Sequence, residues 1–158
     1  MTRREIPLDP HAILRVLDEH EVDYVLIGGL AVQAHGHPRT TQDVDLTPNP
    51  SASNLARLRA ALLALHARPV GAARPNTRPL DLPAAGVLEL DTDAGGVDVH
   101  MAPPGAAGYD ELRARALELD LGIVVAVAGR DDLISMKRAS GRPIDRGDIL
   151  ALTEPPAS

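Results

Sequence analysis

The stretch GGLAVQAHGHPRTTQDVD, residues 28–45, constrains the fold more than any other part of this sequence. The apolar run YVLI precedes the two glycines and LAVQAHG follows them, a pattern that predicts a strand, a tight turn and a helix ending at Gly36. Further along, one valine separates Asp43 from Asp45, and successive side chains of a strand point to opposite faces. The sequence therefore predicts two carboxylates on one face of a strand that follows the glycine turn.

Two carboxylates on one face repel each other, so a cation is expected beside them. Carboxylate oxygens are the ligands that hard divalent ions prefer, and we expect Asp43 and Asp45 to bind Mg²⁺, with Mn²⁺ as the alternative. Gly28 and Gly29 would let the backbone approach a ligand closely, and the start of the following helix would direct free amide groups towards a phosphate. Together these features predict a phosphate-and-metal site. Either feature alone is also typical of an ordinary turn or a solvated edge strand.

Composition bounds the size, the core and the compartment. A chain of 158 residues and 16.7 kDa suits one domain over residues 1–158, with 153–158 as a frayed tail. With no Trp, no Phe and two Tyr, an aliphatic core is expected, and aromatic platforms for stacked bases are not. The net charge of −6 argues against a uniformly basic nucleic-acid surface but leaves a local arginine stripe open. Lacking cysteines, a signal-peptide pattern and long apolar runs, the protein is expected to be cytoplasmic, without membrane contact.

The remaining pattern predicts an α+β fold, with a small mixed β-sheet flanked by helices and a C-terminal helical pair. Helices are expected at residues 10–20, in SNLARLRAALLALH, in YDELRARALEL and on both sides of Gly141. Strands are expected at residues 44–47, in IVVAVAG, and in VLELDT and GVDVHM as a hairpin. Residues 68–85 contain four prolines and lack periodicity, so they are predicted to form a surface loop, either a substrate gate or an irregular connection.

Asp98 is the first candidate for a third carboxylate. Because valines flank it on both sides, its side chain points away from theirs, and the hairpin could bring it beside the two earlier aspartates. Glu89, Asp91 and Asp93 are competing candidates on and after the preceding strand. His100 shares the face of Asp98 and could contact a substrate, although a lone histidine at a strand end is more often a surface residue.

These motifs carry a resemblance. The order IGG, then Arg39 and Thr40, then DVD on a strand, then the aspartate of VDVH resembles the DNA polymerase beta-like nucleotidyltransferase superfamily. Within it, DDLISMKRASGRPIDRGDILAL is similar to the lysine-containing helix and the Asp-x-x-Asp helix of small AbiEii-like, toxin–antitoxin-type nucleotidyltransferases. The similarity extends over residues 24–152, and only the short motifs within it are diagnostic. It implies an enzyme that uses Mg²⁺ to move a nucleoside monophosphate from a nucleoside triphosphate to an acceptor hydroxyl or phosphate.

The resemblance also implies roles for individual residues. Catalysis is expected of the metal-binding carboxylates and one lysine, namely Asp43, Asp45, Asp98 and Lys137. Nucleotide binding is expected of the turn, the polar segment after it and the last helix, namely Gly28, Gly29, Arg39, Thr40 and Asp148. Asp98 would also act as the base, and Lys137, the one lysine of the sequence, would neutralise triphosphate charge. Asp145 and Asp148 would orient Lys137 or contact base and ribose, and for Asp145 a purely structural role is equally open.

The acceptor stays open. An RNA end such as that of tRNA, or a protein side chain, would suit a toxin–antitoxin-type enzyme, with a cognate antitoxin as a further partner. The runner-up is an aminoglycoside or lincosamide drug, because acidic residues around a cleft complement a cationic substrate. A catalytically silent binding module is a hypothesis of a different class. It is disfavoured because such a module gains nothing from clustered like charges.

Overall fold

The computed structural model describes residues 6–72 and 80–154. The helices within these ranges are α1 (Pro10–Glu19), α2 (Gly28–Ala34), α3 (Ala52–Ala64), α4 (Tyr109–Arg115), α5 (Arg130–Ser140) and α6 (Pro143–Thr153). The strands are β1 (Tyr24–Ile27), β2 (Asp43–Pro48), β3 (Arg68–Pro69), β4 (Gly86–Thr92), β5 (Gly95–Met101), β6 (Leu117–Asp120) and β7 (Val124–Val127).

All seven of these strands form one mixed sheet in the order β3-β4-β5-β2-β1-β7-β6. β2 is parallel to β5 and β1 is parallel to β7, whereas the other neighbours are antiparallel. Helices α1 and α3 pack on β2 and on each other, and α5 packs on α6 after a left-handed turn at Gly141. The predicted α+β class is therefore confirmed, including the mixed sheet, the flanking helices, the β4–β5 hairpin and the C-terminal helical pair.

Aliphatic side chains build the centre of the sheet. On β2 and β5, Val44, Leu46, Val97 and Val99 are fully buried, and their neighbours in sequence point to the opposite face. A slip of one residue in either strand would bury the carboxylates and expose the valines. The hydrophobic pattern therefore fixes the register that positions the acidic residues.

The predicted helix over residues 109–119 is wrong in its second half. α4 ends at Arg115 because Ala116 is extended (ψ 149°), and residues 117–120 form β6. β6 lies at one edge of the sheet and pairs antiparallel with β7. The order Leu-Glu-Leu-Asp has the two-residue period of a strand, and the ladder hydrogen bonds to β7 outweigh the helical propensity of leucine and glutamate.

The predicted surface loop at 68–85 is partly a strand. Arg68 and Pro69 form β3 at the other sheet edge and pair with β4. The Arg68 side chain is buried and donates to the carbonyl oxygen of His66 at 2.9 Å, so the segment is anchored at its start. Residues 73–79 in the middle of this segment lie outside the described ranges, so the predicted substrate gate stays a prediction.

The predicted frayed tail, residues 153–158, lies mostly outside the described ranges. Thr153 is the last residue of α6, and residues 155–158 lie outside the described ranges. The helix α2 begins earlier than predicted, because Gly28 itself is its first residue. None of the described helices has the length and apolar character that crossing a membrane requires.

A buried asparagine ties α3 to the two strands that precede it. The Asn54 side chain accepts from the Asp23 backbone N–H at 2.7 Å and donates to the carbonyl oxygens of Asp23 and Asn49 at 2.8 Å. Asp23 precedes β1 and Asn49 follows β2, so these bonds hold the start of one strand against the end of the other. Ser51 accepts from the Asn54 N–H at 3.3 Å and caps the start of α3.

We expect Asn54→Ala to lower the free energy of unfolding by about 2–4 kcal/mol, because it leaves the Asp23 N–H without its partner in the interior. Urea denaturation followed by circular dichroism measures the change. Leu63→Ala is the control on the same helix. Its side chain is exposed, and it should change stability by less than about 0.5 kcal/mol. Equal losses in the two variants would contradict the anchoring role of Asn54.

Candidate active site

Two aspartates project from one face of β2. Asp43 and Asp45 are half-buried, while Val44 and Leu46 on the opposite face are fully buried. The strand lies between β5 and β1, so both carboxylates stand near the middle of the sheet. The predicted strand and the shared face of the two aspartates are confirmed.

The parallel strand β5 brings a third carboxylate to the same place. Asp98 is the direct cross-strand partner of Asp45, and on the other side it is paired with Glu89 of β4. Asp98 is buried, whereas Glu89 is exposed. Cross-strand partners share a face, so an acidic row crosses three adjacent strands. Asp91, opposite Gly96, extends the same acidic face beside it.

Gly28 permits the close approach of the first turn of α2 to β2. Its φ of +72° is a left-handed conformation that favours glycine, and a Cβ added at this position would overlap the Asp45 carboxylate. The backbone of the glycine turn therefore lies directly against one of the predicted metal ligands. This contact is the structural reason for a glycine at the end of β1.

His100 belongs to the acidic site. Its Nε2 lies 2.8 Å from Oδ1 of Asp45, and donor atoms of Asp45, Asp98 and His100 all lie within 4.8 Å of one another. From the sequence, His100 was expected either to contact a substrate or to be a surface residue. Its two-residue spacing from Asp98, which puts both side chains on one face of β5, was the available signal.

The neighbouring charges and the burial of Asp45 shift its acidity. Burial raises the pKa of Asp45 to about 6, the hydrogen bond with His100 opposes that effect, and the charge of Asp43 adds to it. An ionised Asp45 is thus poorly compensated by the protein alone. A bound cation would supply the missing compensation.

The donor set fits a divalent cation. Two carboxylates and an imidazole offer one ligand atom each within a space compact enough for a single ion. Asp43 lies on the same face as Asp45 and could hold the same ion or a second one. The residues present therefore suit a divalent metal ion.

The cationic side of the site is a buried network of ion pairs. Lys137 Nζ lies 2.7 Å from Oδ2 of Asp148 and 3.3 Å from Oδ1 of Asp145. Arg39 Nε lies 3.1 Å from the other oxygen of Asp148, and Arg142 Nε lies 3.0 Å from Oδ2 of Asp145. The lysine is buried between the two aspartates, and the two arginines are its outer neighbours.

The same network reaches the acidic row from two directions. A Cβ on Gly29 would overlap the Arg39 guanidinium, so Arg39 lies against the glycine turn. The hydrogen bond with Asp145 is the largest factor that raises the pKa of Arg142, and the charges of Asp45 and Asp43 add to it. The Arg142 side chain is therefore close enough to sense both aspartates of β2, and it is mostly exposed.

The structure thus brings most of the predicted residues to one region. Gly28 contacts Asp45, Gly29 contacts Arg39, and Asp98 lies beside Asp45. Lys137 pairs with Asp145 and Asp148, and these two aspartates pair with Arg142 and Arg39 of the same region. Thr40 is exposed, and the next residue, Thr41, lies nearer the glycine turn and donates to the Asp43 carbonyl oxygen at 3.1 Å.

The sequence does not predict that Arg142 belongs to this site, because no local pattern connects the residue before α6 with β2. Burial raises the pKa of Asp145, but hydrogen bonds from Arg142 and Ser140 and the charges of Lys137 and Arg142 outweigh it, and the pKa falls to about 2. Asp145 also accepts from the Arg142 backbone N–H at 3.1 Å, so it caps α6 as well as pairing with the lysine.

Solved structures with similar folds exist. The lincomycin-bound lincosamide antibiotic adenylyltransferase LnuA matches with a TM-score of 0.64 and 15% identity, over 94% of this chain and 98% of that one. ANT(2″)-Ia in complex with adenylyl-2″-tobramycin matches with a TM-score of 0.59 and 18% identity, over 90% and 84%. TM1012 from Thermotoga maritima matches with a TM-score of 0.53 and 15% identity, over 92% and 94%.

This chain has the nucleotidyltransferase fold. No protein-family model and no curated protein sequence matches it. At identities of 15–18%, the TM-scores of 0.53–0.64 show a shared fold and nothing finer. The AbiEii-like, toxin–antitoxin subtype stays a prediction.

We expect Asp45→Asn to stabilise the metal-free protein at neutral pH. The folded-state pKa of about 6 lies above the ordinary 3.8, so stability is highest below pH 3.8 and falls as the pH rises, until Asp45 is fully ionised above pH 6. The full difference corresponds to roughly 3 kcal/mol. Urea denaturation in EDTA should show a gain that grows from pH 4 to pH 7.5. Asp120→Asn, an exposed strand aspartate, is the control, and a pH-independent gain in Asp45→Asn would contradict the expectation.

Asp145→Asn should have the opposite pH dependence. Its folded-state pKa of about 2 lies below the ordinary 3.8, so its contribution is complete above pH 3.8 and disappears as the pH falls through 2. The difference corresponds to about 2 kcal/mol of stability at pH 7. Unfolding titrations at pH 7, 4, 3 and 2 should show this loss shrinking with acid. Asp131→Asn in the first turn of α5 is exposed and should show little loss at any pH.

Proposed function

We propose that this protein is a divalent-metal-dependent nucleotidyltransferase, which moves a nucleoside monophosphate from a nucleoside triphosphate to an acceptor hydroxyl or phosphate. The observation that carries the proposal is the pairing of Asp45 with Asp98 across parallel strands, with Asp43 on the same face and Gly28 packed against Asp45. This arrangement combines three carboxylates with a close backbone turn, and the nucleotidyltransferase fold supports it.

In the proposed reaction, an acceptor oxygen attacks the α-phosphorus of the triphosphate. A new oxygen–phosphorus bond forms while the bond from the α-phosphorus to the bridging oxygen breaks, and pyrophosphate leaves. Asp98 takes the proton of an acceptor hydroxyl, and its burial beside Asp45 supports this role. Asp43, Asp45 and Asp98 would hold the divalent ion, which would supply charge neutralisation at the phosphates.

The nucleotide would lie between the acidic row and the network of ion pairs. Gly28 and Gly29 let Asp45 and Arg39 lie against the backbone turn, so the proposed nucleotide-binding role of both glycines is to hold these two side chains close together. Thr40, the other proposed nucleotide-binding residue of this segment, is exposed. Arg39, beside Gly29, offers its guanidinium to phosphate oxygens. Asp148 pairs with Lys137 at 2.7 Å and with Arg39 at 3.1 Å. The proposed nucleotide-binding role of Asp148 and the proposed catalytic role of Lys137 therefore include positioning Arg39.

Surface charge bears on the choice between two classes of acceptor. An RNA end or a protein side chain is the acceptor that the toxin–antitoxin resemblance implies, with a cognate antitoxin as partner. The local arginine stripe that could hold RNA would consist of Arg57, Arg59, Arg68, Arg74 and Arg78. The first three donate to carbonyl oxygens of the protein itself, which argues against RNA binding by these side chains, and the last two lie outside the described residues.

A cationic small molecule is the second candidate acceptor. The acidic face continues from Asp98 to Glu89 and Asp91 on β4, and such a surface attracts amines and repels polyanions. Two of the similar solved structures hold adenylyl-2″-tobramycin and lincomycin, which supports this candidate. A protein that only binds nucleotide would have the same acidic row but would transfer nothing.

Transfer is tested with the four α-labelled nucleoside triphosphates, Mg²⁺ or Mn²⁺, and three sets of acceptors: an aminoglycoside and lincosamide panel, total RNA, and a cell lysate. We expect label in at least one set, with pyrophosphate released in equal amount. Label in the drugs alone would favour the cationic acceptor, and label in RNA or protein alone would favour the toxin-like acceptor. Label in none of them, with metal-dependent nucleotide binding intact, would contradict transfer and support a silent module.

Asp98→Asn should lower the transfer rate by about 10²–10⁴-fold, because it removes the base and one metal ligand while keeping the shape of the side chain. Asp120→Asn, on the strand at the far edge of the sheet, should leave the rate unchanged. Thermal unfolding verifies that both variants are folded. An Asp98→Asn rate within threefold of the wild type would contradict the assignment.

A further inference from the structure

An imidazole lies among the carboxylates of the active site. His100 and Asp98 are two residues apart on β5 and share a face, and His100 Nε2 contacts Asp45 Oδ1 at 2.8 Å. Both side chains of the His100–Asp45 pair are largely buried, with 22% and 15% of their surfaces exposed. The imidazole is therefore built into the site and does not sit at its margin.

The spacing of the donor atoms suits ligands of one ion. An octahedral ion with donor distances of about 2.1 Å places neighbouring donor atoms about 3 Å apart and opposite ones about 4.2 Å apart. The 2.8 Å between His100 and Asp45 corresponds to neighbouring positions, and the 4.8 Å limit on all three pairs leaves room for Asp98 in either position. Within residues 6–72 and 80–154, this is the one group of three or more carboxylate, imidazole or thiol donors with such spacing.

The chemistry of the donor set discriminates between metals. Mg²⁺ takes oxygen ligands and retains several waters, whereas first-row transition ions accept imidazole nitrogen readily. A site with three carboxylates would discriminate only weakly between Mg²⁺ and a first-row transition ion. Replacing one oxygen donor by an imidazole nitrogen shifts the balance towards the transition ions.

We propose that His100 is a metal ligand together with Asp45 and Asp98, and that it makes the site select a divalent first-row transition ion such as Mn²⁺ over Mg²⁺. The proposal rests on the proposed function only in taking this site to be the metal site. Ligation uses the Nε2 lone pair, so it requires the tautomer with hydrogen on Nδ1. A histidine that merely supports Asp45 would instead keep hydrogen on Nε2 and donate it to the carboxylate.

His100→Gln separates these two roles, because its side-chain amide can still donate to Asp45 but offers an oxygen donor to a metal. Mn²⁺ binding is measured from the electron paramagnetic resonance signal of free Mn²⁺, and Mg²⁺ binding by competition. We expect Mn²⁺ affinity to fall about tenfold or more, with a much smaller change for Mg²⁺. The ratio of the two affinities should therefore fall about tenfold.

Pulsed electron paramagnetic resonance of Mn²⁺-bound wild type provides a direct signature. We expect nuclear modulation from a coordinated ¹⁴N in the wild type and its loss in His100→Gln. His66→Gln is the matched control, since His66 also pairs with a carboxylate, at 2.5 Å from Asp93, but it is exposed and outside the three-residue group. It should leave both affinities and the modulation unchanged.

Two results would overturn the proposal. One is an equal loss of Mn²⁺ and Mg²⁺ affinity in His100→Gln, or no loss of either, which would leave the histidine as a support for Asp45. The other is wild-type protein that binds Mn²⁺ without ¹⁴N modulation, a measurement that decides the question even if the variant does not fold. Intact modulation and selectivity in a protein that transfers no nucleotide would contradict the proposed function and support the metal assignment.

Discussion

The candidate active site depends on the parallel pairing of β2 with β5. These strands are far apart in the sequence, and their register sets Asp45 against Asp98 and Val44 against Val97. Burial of the valines on one face forces the carboxylates together on the other, because side chains alternate along a strand. The hydrophobic core thus offsets the repulsion between like charges, and the charges gain nothing from each other until a cation binds.

A network of buried ion pairs lies beside this acidic row. The one lysine is enclosed by Asp145 and Asp148, and these aspartates hold Arg142 and Arg39 on their outer sides. The buried ion pairs therefore neutralise the charge of the lysine, and the two arginines lie on the outer sides of the aspartates. Arginine suits this position because its planar guanidinium can pair with a carboxylate on one edge and a phosphate on another.

The strands and helices with clear two-residue or helical periods were predictable from local sequence, as were the glycine turn and the shared face of Asp43 and Asp45. Residues 109–119 misled the prediction because alanine, leucine and glutamate suit a helix, whereas pairing with a distant strand decides the structure of their second half. The spacing of His100 from Asp98 was visible in the sequence, but its contact with Asp45 depends on the register of β5 against β2. The position of Arg142 near Asp43 and Asp45 depends on where α6 lies relative to β2, which no single segment encodes. The catalytic and nucleotide-binding roles remain predictions, since geometry shows proximity and not chemistry.

The capping carboxylate of α6 has a consequence for the order of assembly. Asp145 and Asp148 belong to the last helix of the described chain, and both arginines of the ion-pair network lie against them. During synthesis the acidic row on β2 and β5 is therefore made well before the groups that set Arg39 and Arg142 in place. A chain that ends before α6 lacks the carboxylate partners of both arginines and of the lysine, so the ion-pair network is completed only when that helix docks.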